Sequence, residues 1–278
     1  MTDIYTEVCL KASKIVTTKY STSFSIGIML LDKKIRDHIY SIYGFVRLAD
    51  EIVDTFHEHE QEYLLNKFEA DTYEAIEHRI SMNPVLHSFQ RTVHEYNLDR
   101  NHIDAFLESM RMDLKKINYD KDNFEKYIYG SAQVVGLMCL QVYVEGNKKL
   151  YDSLLSHAIS LGSAFQKVNF IRDLKDDMND LGRSYFPNVE LNNLNDDSKK
   201  IIEADIQADF DHALIGISKL PKNSKYGVYT AYLYYLVLLR KIKTSKIEKL
   251  MAKRLRVSNL HKLLLLPKAK FNISINRL

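Results

Sequence analysis

Two pairs of aspartates are the residues of this sequence whose type and spacing best suit chemistry. Each pair ends a short segment in which the two aspartates lie four positions apart: Asp50 and Asp54 end YGFVRLADEIVD (43–54), and Asp173 and Asp177 end QKVNFIRDLKDD (166–177). A helix advances by about 100° per residue, so residues four apart share a face. Each segment therefore predicts two carboxylates on one face of a helix.

Polar residues precede both pairs on the predicted faces. Tyr43 and Arg47 lie in register with the first pair, and Gln166 and Phe170 with the second; Asn169 lies one turn before Asp173. Their sequence neighbours are apolar, and burying an unpaired polar group costs roughly 1 to 3 kcal/mol. We expect these polar side chains to have partners inside the protein.

A metal ion and a diphosphate would supply those partners. Four carboxylates brought together repel one another unless cations lie among them. Carboxylate oxygens suit Mg²⁺, which completes its coordination with water and substrate phosphates, and Arg47 and Arg172 could bind further phosphate oxygens. One isolated pair would more often face water, but two pairs that each follow a polar stripe favour a diphosphate site.

The elements that must position these residues are helices. The 278 residues include only 9 Gly and 4 Pro, and apolar residues recur at helical spacing with no sustained alternation of period two. The pattern predicts one all-α domain (1–278), with breaks near each proline, Pro267 among them. The helices predicted are 4–18, 33–56, 60–80, 85–96, 100–116, 123–145, 149–178, 196–218 and 225–252.

Several classes of protein are excluded or disfavoured. Cys9 and Cys139 have no partner at the spacing of a zinc or redox motif, no apolar run approaches the ~18 residues of a spanning helix, and the acidic N-terminus does not resemble a signal peptide. Nucleotide-binding loops, the nucleophile elbow and the H-E-x-x-H zinc motif are absent. The sequence predicts a cytoplasmic protein that binds no nucleic acid, and it leaves the oligomeric state open.

The C-terminal segment is strongly basic. From Arg240 to the end there are 12 Lys or Arg and one acid, Glu248, although the formal net charge of the chain is only +3. Interleaved leucines would allow this tail to lie on an anionic membrane surface, at the inner face of the membrane. A solvated helix face is the alternative, and both interpretations stay open here.

Four segments resemble the squalene and phytoene synthase family, whose members join two prenyl diphosphates head to head. They are YSTSF (20–24), YGFVRLADEIVD (43–54), YGSAQVVG (129–136) and QKVNFIRDLKDDMNDLGRSYFP (166–187). The resemblance is greatest to bacterial phytoene synthases. It implies the isoprenoid-synthase helical fold with a central substrate cavity, for which VVGLMCLQVYV (134–144) is a candidate wall.

The resemblance also implies roles for individual residues. The metal ligands would be Asp50, Asp54, Asp173 and Asp177, with Asn169, and Arg47 and Tyr43 would join the aspartates in catalysis. Substrate contacts would come from Ser21, Ser23, Phe24, Gln166, Asn169, Arg172, Tyr234 and Arg254. Lys175 and Asp176 depart from the Gly and Glu that many members have, and the C-terminal third matches poorly.

Two products and one non-enzymatic function stay open. Phytoene formation from two geranylgeranyl diphosphates needs Mg²⁺, or Mn²⁺ in its place, and no reductant. Dehydrosqualene or squalene formation from two farnesyl diphosphates is the alternative, and NADPH is expected only for squalene. A helical protein that binds prenyl diphosphates or membranes without catalysis is the alternative of a different class.

Overall fold

The computed structural model describes residues 3–115, 120–176 and 195–275, and within these ranges helices are the sole regular secondary structure. The predicted all-α class is confirmed. The helices are α1 (Ile4–Tyr20), α2 (Thr22–Met29), α3 (Lys33–Thr55), α4 (Gln61–His78), α5 (Pro84–Tyr96), α6 (Arg100–Leu114), α7 (Lys121–Ile128), a π-helical segment (Tyr129–Gln133), α8 (Val134–Tyr143), α9 (Lys148–Asp176), α10 (Asp196–Lys219), α11 (Lys222–Lys243), α12 (Ile247–Ala252) and α13 (Asn259–Ser274).

Side-chain caps fix where most of these helices begin. Asp32 accepts a hydrogen bond from the Lys34 amide at 2.9 Å and starts α3. Asn195 and Ser198 bond reciprocally to each other's backbone at the start of α10. Such caps satisfy amides that have no acceptor within the helix. The capping residues thus fix where these helices begin.

Two apolar clusters form the core. One is built around Phe45, whose ring stacks on that of Phe89 at 4.0 Å, and gathers residues from α3 to α6 and α8. The other gathers residues from α8 to α13 around α9 and α11. Tyr143 packs against both clusters, so the region near the end of α8 joins them. That the chain forms one domain stays a prediction.

Helices α2 and α11 approach each other at two glycines. A Cβ on Gly227 would lie 2.5 Å from the carbonyl oxygen of Gly27 and 2.5 Å from Leu31 Cδ2. A side chain at position 227 would therefore push the two helices apart. This close approach places α2 beside α11.

The predicted boundaries differ from the structure in the C-terminal third. The predicted helix 225–252 is two helices, because Thr244 bonds to the carbonyls of Arg240 and Lys241 and thereby competes with the helical backbone. The predicted break at Pro267 is wrong, since Pro267 lies inside α13. Proline cannot donate to the carbonyl of Leu263, but Leu263 is exposed and water can reach that region.

Helices α2 and α13 were not among those predicted. The first has only eight residues, and the second begins at Ser258, whose hydroxyl caps the His261 amide at 3.3 Å. Within the described ranges, no helix is long and apolar enough to cross a membrane.

Candidate active site

A largely apolar cavity of about 280 Å³ lies among α2, α3, the π-helical segment, α8, α9, α10 and α11. Polar side chains line one end, where Tyr43 of α3 meets Gln166 and Asn169 of α9. From that end the apolar lining follows α9 back toward its N-terminus. The cavity therefore joins both predicted polar stripes to an apolar pocket.

Aromatic rings surround the cavity at its polar end. The Phe24 ring lies 5.6 Å from Tyr43, 6.3 Å from Phe165 and 6.1 Å from Tyr235. Phe165 and Tyr235 stack at 4.0 Å. Burial raises the pKa of Tyr43 to about 12, so its hydroxyl keeps its proton and can donate a hydrogen bond.

A chain of hydrogen bonds orients the polar side chains of α9. The Tyr235 hydroxyl donates a hydrogen bond to Asn169 Oδ1 at 3.2 Å, and Asn169 Nδ2 donates one to Gln166 Oε1 at 3.4 Å. The buried polar groups of this stripe thus have the partners that their burial requires.

The first aspartate pair lies at the end of α3 with an arginine beside it. Arg47 forms ion pairs with Asp50 and Glu51 and stacks over the Tyr20 ring at 4.3 Å. Burial, and then the neighbouring charge of Asp54, raise the pKa of Asp50 to about 7, although Arg47 opposes the shift. Asp54 is exposed on the last turn of α3. The electrostatic repulsion between Asp50 and Asp54 favours binding of a cation between them.

The second aspartate motif is held by two arginines. Asp173 accepts hydrogen bonds from Arg172 Nε at 2.8 Å and from Arg254 Nη2 at 3.2 Å. Arg254 Nε also lies 2.8 Å from Asp173 Oδ1, as an ion pair. Arg254 comes from the segment after α12, 81 positions along the chain. Asp177 lies outside the described residues. Within the described ranges, no group of three or more His, Cys, Asp or Glu side chains is arranged to hold a metal ion.

The apolar end of the cavity is closed in part by a histidine. His157 donates from Nδ1 to the His212 carbonyl at 2.9 Å and packs against Gly216, where an added Cβ would lie 2.3 Å from His157 Cβ. Leu154 lines the same end. At 1.5 Å per residue, the lining of α9 runs about 22 Å from Asn169 to Leu154. The cavity is thus long and narrow, with charged groups near one end.

The family model described as squalene/phytoene synthase matches residues 17–261. The chain belongs to this family. Helix α2, both aspartate motifs and Arg254 all fall within the match.

Similar proteins in the family include two plant enzymes. Phytoene synthase 1 of Arabidopsis thaliana, which is chloroplastic, is 28% identical over 273 residues, covering 91% of this chain and 64% of its own length. Phytoene synthase 2 of Solanum lycopersicum, also chloroplastic, is 29% identical over 271 residues, covering 91% of this chain and 86% of its own. The chain thus spans slightly under two thirds of the Arabidopsis relative.

Solved structures confirm the isoprenoid-synthase type of fold. A dehydrosqualene synthase in complex with ligand superposes with a TM-score of 0.80 at 19% identity, covering 97% of this chain and 98% of that one. A squalene synthase from Alicyclobacillus acidocaldarius gives 0.76 at 19% identity, covering 91% and 98%. At such identity the likeness concerns the fold alone.

Most of the predicted site residues that the structure describes lie around the polar end. Ser21 caps α2 through its bond from the Phe24 amide at 3.2 Å, and its hydroxyl is also within hydrogen-bonding reach of Tyr43. Ser23 is partly buried on the first turn of α2. Arg254, predicted on weak sequence similarity, reaches Asp173.

Two residues singled out in the sequence lie outside the cavity lining. Tyr234, predicted as a substrate contact, is buried outside the cavity lining, and its hydroxyl has no hydrogen-bond partner in the described part of the chain. Its neighbour Tyr235 bonds to Asn169. A substrate contact by Tyr234 stays a prediction. Phe170 is in register with Gln166 on α9, but its ring packs against Phe124 and Tyr127 instead of lining the cavity. Tyr234 and Tyr235 point about 100° apart on α11, so the tertiary structure was needed to tell which of them reaches α9.

The sequence predicted part of the cavity wall and missed other residues at the site. The π-helical segment and α8 contribute Ser131, Ala132, Val135, Gly136 and Cys139 to the wall. This confirms part of the predicted wall 134–144, while Val134, Met138 and Val142 lie in the core instead. Glu51, His157 and Tyr235 carried no motif signal, since a lone acid, histidine or tyrosine in a helix is most often structural.

Proposed function

We propose that the protein condenses two geranylgeranyl diphosphates head to head, through a cyclopropylcarbinyl diphosphate, to phytoene. The observation that carries the proposal is a single cavity that joins both aspartate-bearing helices to an apolar pocket. The likeness to phytoene synthases over 91% of the chain supports the choice of product.

The length of the apolar lining supports a C20 substrate. An extended isoprene unit is about 5 Å long, because it contains four carbon–carbon bonds of roughly 1.5 Å each. Four units therefore extend about 20 Å, close to the ~22 Å of α9 between Asn169 and Leu154. A farnesyl chain of three units would leave the end near His157 unfilled.

The donor set fits a hard divalent cation. Burial and mutual repulsion push Asp50 toward protonation, a cost that a bound cation would remove. Mg²⁺, or Mn²⁺ in its place, would be held by Asp50, Asp54, Asp173 and Asp177, with Asn169. When bound, the metal would act as a Lewis acid on the departing diphosphate.

The arginines and hydroxyl groups would bind the diphosphate oxygens. Arg47 Nε is buried and has no acceptor among the described residues, so it can donate to a phosphate oxygen. Arg172 and Arg254 flank Asp173 and add positive charge where the leaving group gains negative charge. Tyr43 and Ser21 donate hydroxyl hydrogen bonds from α3 and α2.

The apolar wall would protect the carbon cations. Ionisation of the first substrate breaks its carbon–oxygen bond and leaves an allylic cation, which the double bond of the second substrate attacks. Loss of one proton closes the cyclopropane; a second ionisation, rearrangement and loss of another proton give phytoene and two diphosphates in all. Phe24 and Phe165 line the cavity and could stabilise these cations with their rings, and their packing with Tyr235 would exclude water.

The test is incubation of the purified protein with geranylgeranyl or farnesyl diphosphate, with and without Mg²⁺ and NADPH, followed by extraction of hydrocarbons. We expect geranylgeranyl diphosphate to give a C40 hydrocarbon with a central conjugated triene, in a reaction that requires Mg²⁺ and not NADPH. A C30 product formed from farnesyl diphosphate and not from geranylgeranyl diphosphate would instead indicate dehydrosqualene synthesis or, if NADPH is required, squalene synthesis. Binding of either substrate without any hydrocarbon would instead indicate a non-catalytic prenyl-diphosphate-binding protein.

Peripheral contact with an anionic membrane is part of the proposal and would place the cytoplasmic enzyme at the inner face of the membrane. Helix α13 packs Leu265 and Ala269 inward, while Leu260, Leu264 and Phe271 are exposed beside Lys268 and Lys270. Exposed apolar residues next to lysines suit an anionic lipid surface. Binding to phosphatidylglycerol vesicles that survives replacement of these three apolar residues by serine would count against it.

A further inference from the structure

Lys262 of α13 is buried without an opposite charge. Only 9% of its surface is exposed, and Nζ donates one hydrogen bond, to the neutral hydroxyl of Thr22 at 2.9 Å. No carboxylate lies within ion-pair distance in the described ranges, and the neighbouring charge that acts on it is that of Arg256. Burial, reinforced by Arg256, lowers the pKa of Lys262. A buried ammonium normally has an anionic partner.

Lys199 shows the usual arrangement in the same protein. It is 5% exposed, and its Nζ lies 2.7 Å from Glu203, which is also buried. Lys167 likewise contacts Asp205 at 2.5 Å and Asp209 at 2.8 Å. In the described part of the chain, two other largely buried lysines thus form ion pairs with carboxylates, whereas the partner of Lys262 is a neutral hydroxyl group.

The surroundings of Lys262 are suited to an anion. Thr22 is the first residue of α2, a helix whose first amides lie beyond the reach of intrahelical acceptors. Ser21, the preceding residue, has its hydroxyl near Tyr43 at the polar end of the cavity. Through Thr22, Lys262 contacts the N-terminus of α2, which lies beside the polar end of the cavity. Its positive charge there adds to the positive end of the α2 dipole.

We propose that Lys262 is a further diphosphate-binding residue, which donates to a terminal phosphate oxygen at the start of α2 while Thr22 holds its ammonium group in place. This inference rests on the proposed function, because it takes the diphosphate of the prenyl substrate as the ligand. Lys262 lies one position beyond the segment 17–261 that the family model matches. Phosphate oxygens suit a lysine, which binds them as a point charge.

The test is calorimetric titration of the full chain with inorganic pyrophosphate in the presence of Mg²⁺. Lys262→Met keeps the length of the side chain and removes the charge, Lys262→Arg keeps the charge, and Lys268→Met removes an exposed charge from the same helix. We expect Lys262→Met to bind pyrophosphate roughly 10- to 100-fold more weakly, as for loss of a hydrogen bond to a charged group. Lys262→Arg should lose less than Lys262→Met, and Lys268→Met should bind like the wild type.

Thermal unfolding separates this role from a structural one. Without ligand, Lys262→Met should be at least as stable as the wild type, because it removes an uncompensated buried charge. Equal affinity of Lys262→Met and wild type for pyrophosphate would overturn the proposal, as would weaker binding to phosphatidylglycerol vesicles with unchanged pyrophosphate affinity. That last result would assign Lys262 to a lipid headgroup.

The failure of this inference is distinguishable from failure of the proposed function. If the wild type forms hydrocarbon and Lys262→Met keeps its pyrophosphate affinity and substrate KM, the function stands and the role of Lys262 is refuted. If the wild type forms no hydrocarbon but pyrophosphate binding depends on Lys262, the anion site stands and the synthase function is refuted.

Discussion

The polar end of the cavity is organised by ion pairs, whereas the apolar end is organised by close packing. At the polar end, Arg47, Asp50, Glu51, Asp173 and Arg254 form ion pairs across three segments of the chain. At the apolar end, shape is set by close packing, as where His157 lies against Gly216. Under the proposed function, the polar end would bind the leaving group, which both candidate substrates share, and the apolar end would select the carbon chain.

Removal of a carboxylate from the polar end should have the largest effect. Asp50→Ala or Asp173→Ala is expected to lower turnover by roughly 10³-fold or more, because stabilisation of the departing diphosphate is lost. Steady-state assays and far-ultraviolet circular dichroism should show lost activity with helix content retained. Asp71→Ala, on α4 beside Lys67, is the matched control. Wild-type activity in either site variant would refute the metal assignment.

Removal of a cation from the same end should have the next largest effect. Arg254→Met leaves Asp173 with Arg172 alone and should lower kcat by about 10²-fold, comparable to loss of one oxyanion donor. Arg240→Met removes an exposed arginine at the end of α11 and serves as the control. If both variants keep full kcat, Arg254 has no part in binding the leaving group.

Overpacking of the cavity wall tests the apolar end through stability. Gly227→Ala should destabilise the protein by about 1–3 kcal/mol, because its Cβ would lie 2.5 Å from the Gly27 carbonyl oxygen. Gly27→Ala is the control, since its Cβ would lie 3.4 Å from the Gly227 oxygen. Urea unfolding curves compare the two. Equal stabilities would show that α2 and α11 separate easily and that the wall is not tightly packed.

Shortening of the apolar end should change the product with a smaller effect on free energy. His157→Phe places a larger apolar ring near Leu154 and should shift the ratio of C40 to C30 hydrocarbon about 10-fold toward C30, or roughly 1.4 kcal/mol. Chromatography of hydrocarbons from mixed substrates measures the ratio. Ser156→Phe adds the same ring at the neighbouring exposed position. An unchanged ratio in His157→Phe would mean that chain length is selected elsewhere.

The polar end could be predicted from sequence further than the apolar end. Residues four apart share a helical face whatever the tertiary structure. The structure places Tyr43, Gln166 and Asn169 in the wall of one cavity, and Asp50 and Asp173 lie farther along the same two helices. Spacing along a helix is local information. It sufficed for the helical class, and the metal-binding roles of the carboxylates stay predictions.

The remainder depended on tertiary contacts that spacing does not encode. The choice of Tyr235 over Tyr234 is decided by how α11 is rotated against α9. The π-helical segment widens one turn before α8 and changes which residues face the cavity. Lys262 lies 240 positions from Thr22 and appeared in the sequence as one basic residue among many.

The most direct measurement is the molar ratio of diphosphate released to hydrocarbon formed during turnover of geranylgeranyl diphosphate with Mg²⁺. Head-to-head condensation in this cavity predicts two diphosphates for each C40 hydrocarbon, with no free prenyl alcohol. Release of diphosphate accompanied by geranylgeraniol and no hydrocarbon would contradict it, because the cavity would then admit water to the cation instead of a second substrate.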